Sequence, residues 1–420
     1  MRLPLAVLAT SVAVLAPLAA VPPAGAADAS SAPRAAARTV AHADWDTGAE
    51  LRAGTTKGTK VARGRVVLTD PVAARRVGGT RYDAGRWTSP WTTPGFGLTE
   101  LIPSWEATTP RDSWIEVRVR GRAADGTRSS WDVMGRWASG DKHVERTSVS
   151  GQDDDLARVN VDTWDVAAAA GLTSWQLQVT LFRRAGATSN APSLDAAGAV
   201  ASRLPGTDAP TSRPGPGRGI VLDVPRASQM VHDGDYTRWG GGGEAWCSPT
   251  ATSMVLGYYD ALPRPAAYSW VPRGHVDPYV DHAARMTYDH AYDGTGNWPF
   301  NTAYAAPLAG HALVTRLASL RQAEKLVAAG IPVVASISFG AGELRGAPIS
   351  ATNGHLLVIV GFTDSGDVVV NDPAASSRAG VRRTYDRGQF EDAWLPTSGG
   401  LVYVIRDDAH PLPKGSRGAW

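Results

Sequence analysis

Two hydrophobic periods share this chain, and a stretch rich in proline and glycine separates them. Between Trp45 and Leu204 the apolar residues recur at every second position. In Trp114-Ile115-Glu116-Val117-Arg118-Val119-Arg120, Ile115, Val117 and Val119 face one way and the charges face the other. Trp175, Leu177, Val179 and Leu181 alternate in the same way with Gln176, Gln178 and Thr180. A period of two marks strands with one buried face, and Asp125-Gly126 supplies a turn after the first of them. Residues 45–204 are therefore expected to form an all-β sandwich. Nine of the fifteen tryptophans lie in this part. Trp114 and Trp175 are expected to fill or flank its core. The turn-like "WTSPW", Trp87–Trp91, is the candidate for an exposed aromatic pair that would stack on carbohydrate.

Pro205–Gly219, "PGTDAPTSRPGPGRG", reads as a linker over 205–219. Beyond it the period changes. Ser248–Tyr259 and Ser319–Ala329 have helical spacing. In the second, Ser319 and Gln322 are placed for a capping box, and Gly330 follows as a C′ residue. Ile331–Ile337, Leu356–Phe362, Val368–Val370 and Leu401–Ile405 read as strands. A helical beginning followed mostly by strands predicts an α+β domain over 220–408, with 409–420 as a C-terminal tail.

Residues 1–26 have the form of a secretory signal peptide. Arg2 gives a positive start, Leu5 to Val21 an apolar stretch, and Ala24-Gly25-Ala26 a cleavage site. Pro17 interrupts the apolar stretch, which is short for a bilayer span. Residues 27–44 read as a disordered lead-in. The expectation is a secreted, extracellular protein without a stable membrane anchor. With 42 basic against 40 acidic residues there is no support for nucleic-acid binding.

One cysteine, Cys247, excludes an intramolecular disulfide, although an oxidising compartment would permit one. Its setting is "GGGGEAWCSPTATSMVLGYY", where Pro249 suits a first helical turn and Met254, Val255 and Tyr258 give an apolar stripe. The unpaired N–H groups of a helix start favour a thiolate and could hold an oxyanion. A buried structural cysteine is the alternative; an accessible thiol kept in an oxidising medium favours use. A nucleophile needs a base and an orienting group. His355 opens the strand of "TNGHLLVIVGF", and Asp372 ends the next in "VVVNDPA". Neighbouring strands would set them side by side, giving a Cys-His-Asp triad.

At these residues the sequence resembles the peptidase C-39 family in its secreted C-39-like branch: Gln229 in "VPRASQMV", Cys247 in "WCSPT", His355 in "NGHLLVIVGF" and Asp372 in "VNDPA". The resemblance covers roughly Val221–Arg406. It implies a papain-like α+β fold in which the nucleophile's helix packs on the sheet that carries His355 and Asp372. It also implies an oxyanion donor from Gln229, with Asn371 as the alternative orienter. Two departures stand out. Ser248 occupies the position after the nucleophile where the family usually has glycine. Gln229 lies eighteen residues ahead of Cys247, farther than the family's usual spacing, with "HDGDYTRWGGGGEAW" between them.

Other groups are weaker. His275, Asp277, Asp281 and His282 match no strong zinc spacing, and a solvated helix or loop is the favoured reading, so no metal or other cofactor is expected. "DGTGNWPFN" reads as a loop over the cleft, with Trp298 and Phe300 either lining a substrate groove or packed beneath it. Phe339–Pro348 reads as a flexible cleft wall. The expected activity is a cysteine-type peptidase or amidase working through an acyl-enzyme on a peptide or peptidoglycan-type amide. A cell-wall peptide hydrolase with the same Cys-then-His order is the runner-up among enzymes. The alternative from another class is an extracellular binding protein whose sandwich meets a cell-wall or carbohydrate ligand, the second domain being idle.

Overall fold

The computed structural model describes residues 38–205 and 210–420. The signal-peptide reading of 1–26, and the first part of the lead-in, fall outside the described residues.

The first domain consists of two seven-stranded sheets. One runs in the order Ala157–Asn160, Thr163–Val166, Glu100–Thr108, Ser193–Arg203, Arg65–Leu68, Thr59–Ala62, with Thr39–Trp45 also paired to Ser193–Arg203. The other runs Thr147–Ser148, Asp132–Trp137, Trp114–Arg122, Ser174–Arg184, Thr80–Thr88, Thr55–Lys57, with Ala73–Val77 added to Thr80–Thr88. Alternation decides which residues meet. Ile115, Val117, Val119, Leu177, Val179 and Leu181 all enter the main core. Trp175 joins it, and Trp45 sets its edge against Trp87 and Trp175 at 5.5 and 5.8 Å. Trp114 points to the other face, where it stacks on Phe182 at 3.8 Å. The expected exposed pair is not one. Trp87 is fully buried, its indole N–H donating to Leu51 O, and Trp91 is half-buried under the guanidinium groups of Arg120 and Arg122.

The expected lead-in through residue 44 overlaps the strand Thr39–Trp45, which pairs along its length with Arg203–Ala197. Only Trp45 in it is fully buried. The strand is held by backbone pairing, which leaves no apolar alternation to read.

The second domain is α+β. Its single six-stranded sheet is antiparallel in the order His311–Arg316, Leu401–Arg406, Val333–Phe339, Thr352–Phe362, Val368–Asn371, Arg382–Tyr385. Leu356, Val358 and Val360 face the core that contains helices Cys247–Tyr258, Pro278–Thr287 and Trp298–Ala309. Leu357 and Ile359 face the core that contains helices Leu320–Ala328 and Arg387–Ser398. Both faces of the strand are covered, which is why its sequence is an unbroken apolar run rather than an alternation. The capping box expected at Ser319 does not form. Ser319 makes no side-chain cap; instead Glu391, from the neighbouring helix, accepts from Leu320 N at 2.8 Å.

The described part of the linker, residues 210–219, and the tail are both tied down. Ser212 N donates to Glu391 at 2.6 Å, and Arg387 donates to Ser212 O at 2.7 Å. In the tail, Gly415 O and Ser416 O accept from Lys325 and Gln322, and Gly418 O accepts from His42 N at 2.7 Å. The C-terminal strand of residues thus reaches from the second domain to the first strand of the first.

Candidate active site

Cys247 is the first residue of its helix and is partly exposed. The helix therefore starts at the nucleophile candidate, and the Ser248 and Leu356 amides both favour its thiolate. Burial alone would raise the thiol pKa. The hydrogen bond and charge of His355, with those two amides, outweigh burial and hold the thiol below its ordinary range.

His355 lies on Thr352–Phe362 opposite Ile337, almost wholly buried. Its Nε2 meets Asp372 Oδ1 at 2.7 Å. The other ring nitrogen, Nδ1, is the one left to face Cys247. Burial pulls the imidazole pKa down, but Asp372 and then the thiol more than offset this and raise it to about 10. Asp372 sits just past the end of Val368–Asn371. Burial would raise its pKa, but His355, the Tyr385 hydroxyl (2.7 Å to Oδ2) and Ala374 N (3.0 Å to Oδ1) lower it.

Asn371 takes no part. Successive strand residues point to opposite faces, and its side chain donates to Val224 O and Pro225 O while accepting from Arg382. Gln229 bridges the site's two halves. Its backbone N–H donates to Pro373 O at 2.9 Å, and its Nε2 donates to Glu244 O at 2.5 Å. The side-chain amide is thus held on the segment just ahead of Cys247. Ser248, in the usual glycine position, is buried and shares a 2.9 Å hydrogen bond with the Tyr403 hydroxyl.

Cys247 opens on a cleft of about 580 Å³, lined also by Ala245, Tyr292, Trp298, Ser336, Gly354 and Leu356. One wall, Asn160–Thr163, comes from the first domain. Asp162 in that wall accepts from Trp298 N at 2.9 Å. Burial raises its pKa to about 7, only partly countered by the Trp298 amide.

Two family models match the chain: residues 41–202 that of the Peptidase C39 N-terminal domain, and residues 221–402 that of the Peptidase_C39 like family. The C-terminal half of the chain belongs to the peptidase C39-like family. No curated protein matches this C39-like chain. Solved structures similar to it include the T=1 particles derived from infectious bursal virus, at 12% identity over 41% of this chain and 52% of that one, with a TM-score of 0.16. Another is that of infectious bursal disease virus Gt strain, at 13% identity over 40% and 54%, again with a TM-score of 0.16. The match spans about half the length of those chains.

Four expectations for the C39-like domain need correction. Phe300 is not a groove residue. It is fully buried, its ring 5.3 Å from Trp137 and 6.1 Å from Trp105 of the first domain. The segment after Asn297 is a capped helix rather than a loop, and one face of that helix is what fixes Phe300 inward while Trp298 turns to the cleft. The Phe339–Pro348 loop does not border the cleft; Ser336–Ser338 and Asn353–Gly354 do. The His275–His282 stretch is solvated only at its start, where Val276 is exposed; Asp281 is fully buried and His282 nearly so. Within it, Asp277 pairs with Arg378, and His282 sits between the rings of Tyr268 and Tyr304, its pKa lowered to about 4 by burial.

Sequence reading missed Tyr385, Tyr403 and the Asn160–Thr163 wall. Tyr403 lies inside the apolar strand Leu401–Arg406, and Tyr385 ends the polar edge strand Arg382–Tyr385, so neither position carries a pattern that marks a site residue. The wall comes from a hairpin more than eighty residues ahead of Cys247, and only the packing of the two domains brings it to the site.

Proposed function

We propose that the C39-like domain is a cysteine-type peptidase or amidase using Cys247, His355 and Asp372. The observation that carries this reading is the 2.7 Å His355–Asp372 pair behind a thiol that lines a cleft, with the interaction of Cys247 and His355 holding the thiol acidic and the imidazole basic. The lowered thiol pKa and the raised imidazole pKa both favour the thiolate–imidazolium form of the pair. The Cys247 thiolate adds to the amide carbon, and the carbonyl π electrons move onto oxygen. Ser248 N–H, at the positive end of the helix, and the Gln229 amide would stabilise that oxyanion. Collapse breaks the C–N bond, and His355 gives its proton to the leaving amine. Water then attacks the thioester while His355 takes a proton from it, and the acid and the thiolate are released. Asp372 holds the ring and favours its charged form.

The proposed substrate is a peptide or peptidoglycan-type amide outside the cell, in keeping with the signal-peptide reading of residues 1–26. Trp298 and the Asn160–Thr163 hairpin would contact it. The alternative, a carbohydrate-binding first domain beside an idle second one, draws on Trp91 and Trp131, whose ring faces are already taken by Arg120, Arg122 and Arg128. Incubation with mixed peptides and peptidoglycan fragments, followed by mass spectrometry, tests the assignment. Cleavage that disappears in Cys247→Ala supports it. Cleavage by neither protein, with a cell-wall ligand retained by both, favours the alternative.

A further inference from the structure

The stretch between Gln229 and Cys247 is long, and it does more than connect. His232 and Asp235, at its start, meet His275 and Asp281, from the next loop and the helix Pro278–Thr287. One ligand-type atom from each of the four lies within 4.8 Å of those of the others. His232 Nδ1 is 3.3 Å from Asp281 Oδ2, and His275 Nε2 is 3.2 Å from Asp281 Oδ1 and 3.3 Å from Asp235 Oδ2.

These separations are short, yet His232 Nδ1, His275 Nε2 and both Asp281 oxygens are buried without a hydrogen-bond partner. His232 and Asp281 are themselves fully buried. Buried polar atoms that approach without pairing carry a desolvation cost. Lone pairs converging on one point, rather than on each other, produce this geometry. Ligands bound at about 2.0 Å in a tetrahedron stand about 3.3 Å apart, which is the separation of His275 Nε2 from Asp235 Oδ2 and of each imidazole from its nearer Asp281 oxygen. Two imidazoles with two carboxylates suit zinc or a similar first-row ion better than calcium or magnesium, which take oxygen ligands.

We infer that His232, Asp235, His275 and Asp281 form a structural site for a divalent transition ion, zinc foremost, which clamps the segment ahead of the nucleophile onto the helix Pro278–Thr287. Four protein ligands close the coordination sphere, as in structural sites. The clamp stands close to the chemistry. The His232 ring lies 6.0 Å from that of Trp246, the residue before Cys247. The segment folds tightly back on itself there: a Cβ on Gly243 would fall 2.1 Å from His232 O. A chain with one cysteine cannot staple this loop with a disulfide, and a metal ion supplies the equivalent constraint.

The test uses the full-length Cys247→Ala protein, so that the active-site thiol cannot itself recruit metal. The protein is exposed to zinc, freed of loosely held ion by gel filtration and assayed by mass spectrometry for metal. About one zinc per chain is expected, with a melting temperature that falls on EDTA treatment and is restored by zinc. Cobalt(II) in its place is expected to give the visible absorption of a tetrahedral centre. Asp235→Asn and His275→Ala, both at the solvent-facing rim, are expected to lose retained zinc while keeping the parent's near-ultraviolet circular dichroism. Should His275→Ala fail to fold, Asp235→Asn decides alone. A zinc content near zero in the Cys247→Ala protein, with melting indifferent to EDTA, would overturn the site. So would undiminished zinc in a folded Asp235→Asn protein.

Discussion

The Tyr385 hydroxyl donates to Asp372 Oδ2 at 2.7 Å, while His355 Nε2 occupies the other oxygen at the same distance. The carboxylate is thus gripped from both sides, and both partners favour its charged form. Tyr385→Phe removes one donor to a buried charge, an interaction worth about 1.5–3 kcal/mol. Asp372 then ionises less readily and supports the imidazolium less. The variant is expected to fold with reduced stability, and because Asp372 takes up its proton earlier as pH falls, the acid limit of its pH–rate profile is expected to move to higher pH. A profile superimposable on the parent's would show that Tyr385 has no part in setting the His355 charge.

Neighbouring Asn371 and Asp372 are expected to separate cleanly. Asp372→Asn should lower kcat by about two to four orders of magnitude while leaving the fold intact. Asn371→Ala strips partners from Val224 O, Pro225 O and Arg382. It is expected to cost about 1–3 kcal/mol in urea unfolding with kcat per folded molecule retained. The reverse pattern would make Asn371 the orienting residue.

Phe300 and Trp298, two positions apart, face different tasks. Phe300→Ala empties a site between Trp105 and Trp137 at the domain contact and is expected to destabilise by about 3–5 kcal/mol. Trp298→Ala is expected to raise KM with little change in melting temperature. Equal stability loss in both would place Trp298 in the core and remove it from the proposed groove.

These pairs also show what could be read before folding. The positions of Cys247, His355 and Asp372 were legible because each stands at the boundary of an element: a proline-marked helix start, a strand opening after glycine, and a strand end before proline. Alternation marked the sandwich strands, including Trp114–Arg122, and the apolar run marked the central strand of the second sheet. Thr39–Trp45 was not legible, because its ladder with Ser193–Arg203 uses backbone groups that any residue carries. Phe300 was ambiguous, since an aromatic residue beside a groove and one at a domain contact look alike until the helix phase is known. The Asp162 wall depended on how two separately folded sheets dock.

Asp162 makes a prediction about acid and base. Its pKa is raised to about 7 in the native protein, against about 3.9 in an unfolded chain. Between those values the unfolded chain gives up a proton that the native state keeps, so this carboxyl makes stability fall as pH rises through that window, by at most about 1.4 kcal/mol per unit. Asp162→Asn deletes the titration. In urea unfolding at pH 4.5 and 7.5, the stability difference between variant and parent is expected to shift in the variant's favour at the higher pH. A constant difference would mean that Asp162 titrates normally.

The account rests most heavily on the pairing of the Cys247 thiol with His355, and the rate of Cys247 alkylation against pH measures it directly. The thiol pKa is lowered and that of His355 is raised to about 10. Rapid alkylation is therefore expected well below the ordinary thiol pKa of about 8.5, with a further change only as pH passes through about 10. His355→Ala is expected to abolish the low-pH reactivity and restore a single thiol titration. Slow alkylation rising only through the ordinary thiol range, and unaltered by His355→Ala, would contradict the pairing and leave the C39-like domain without a nucleophile.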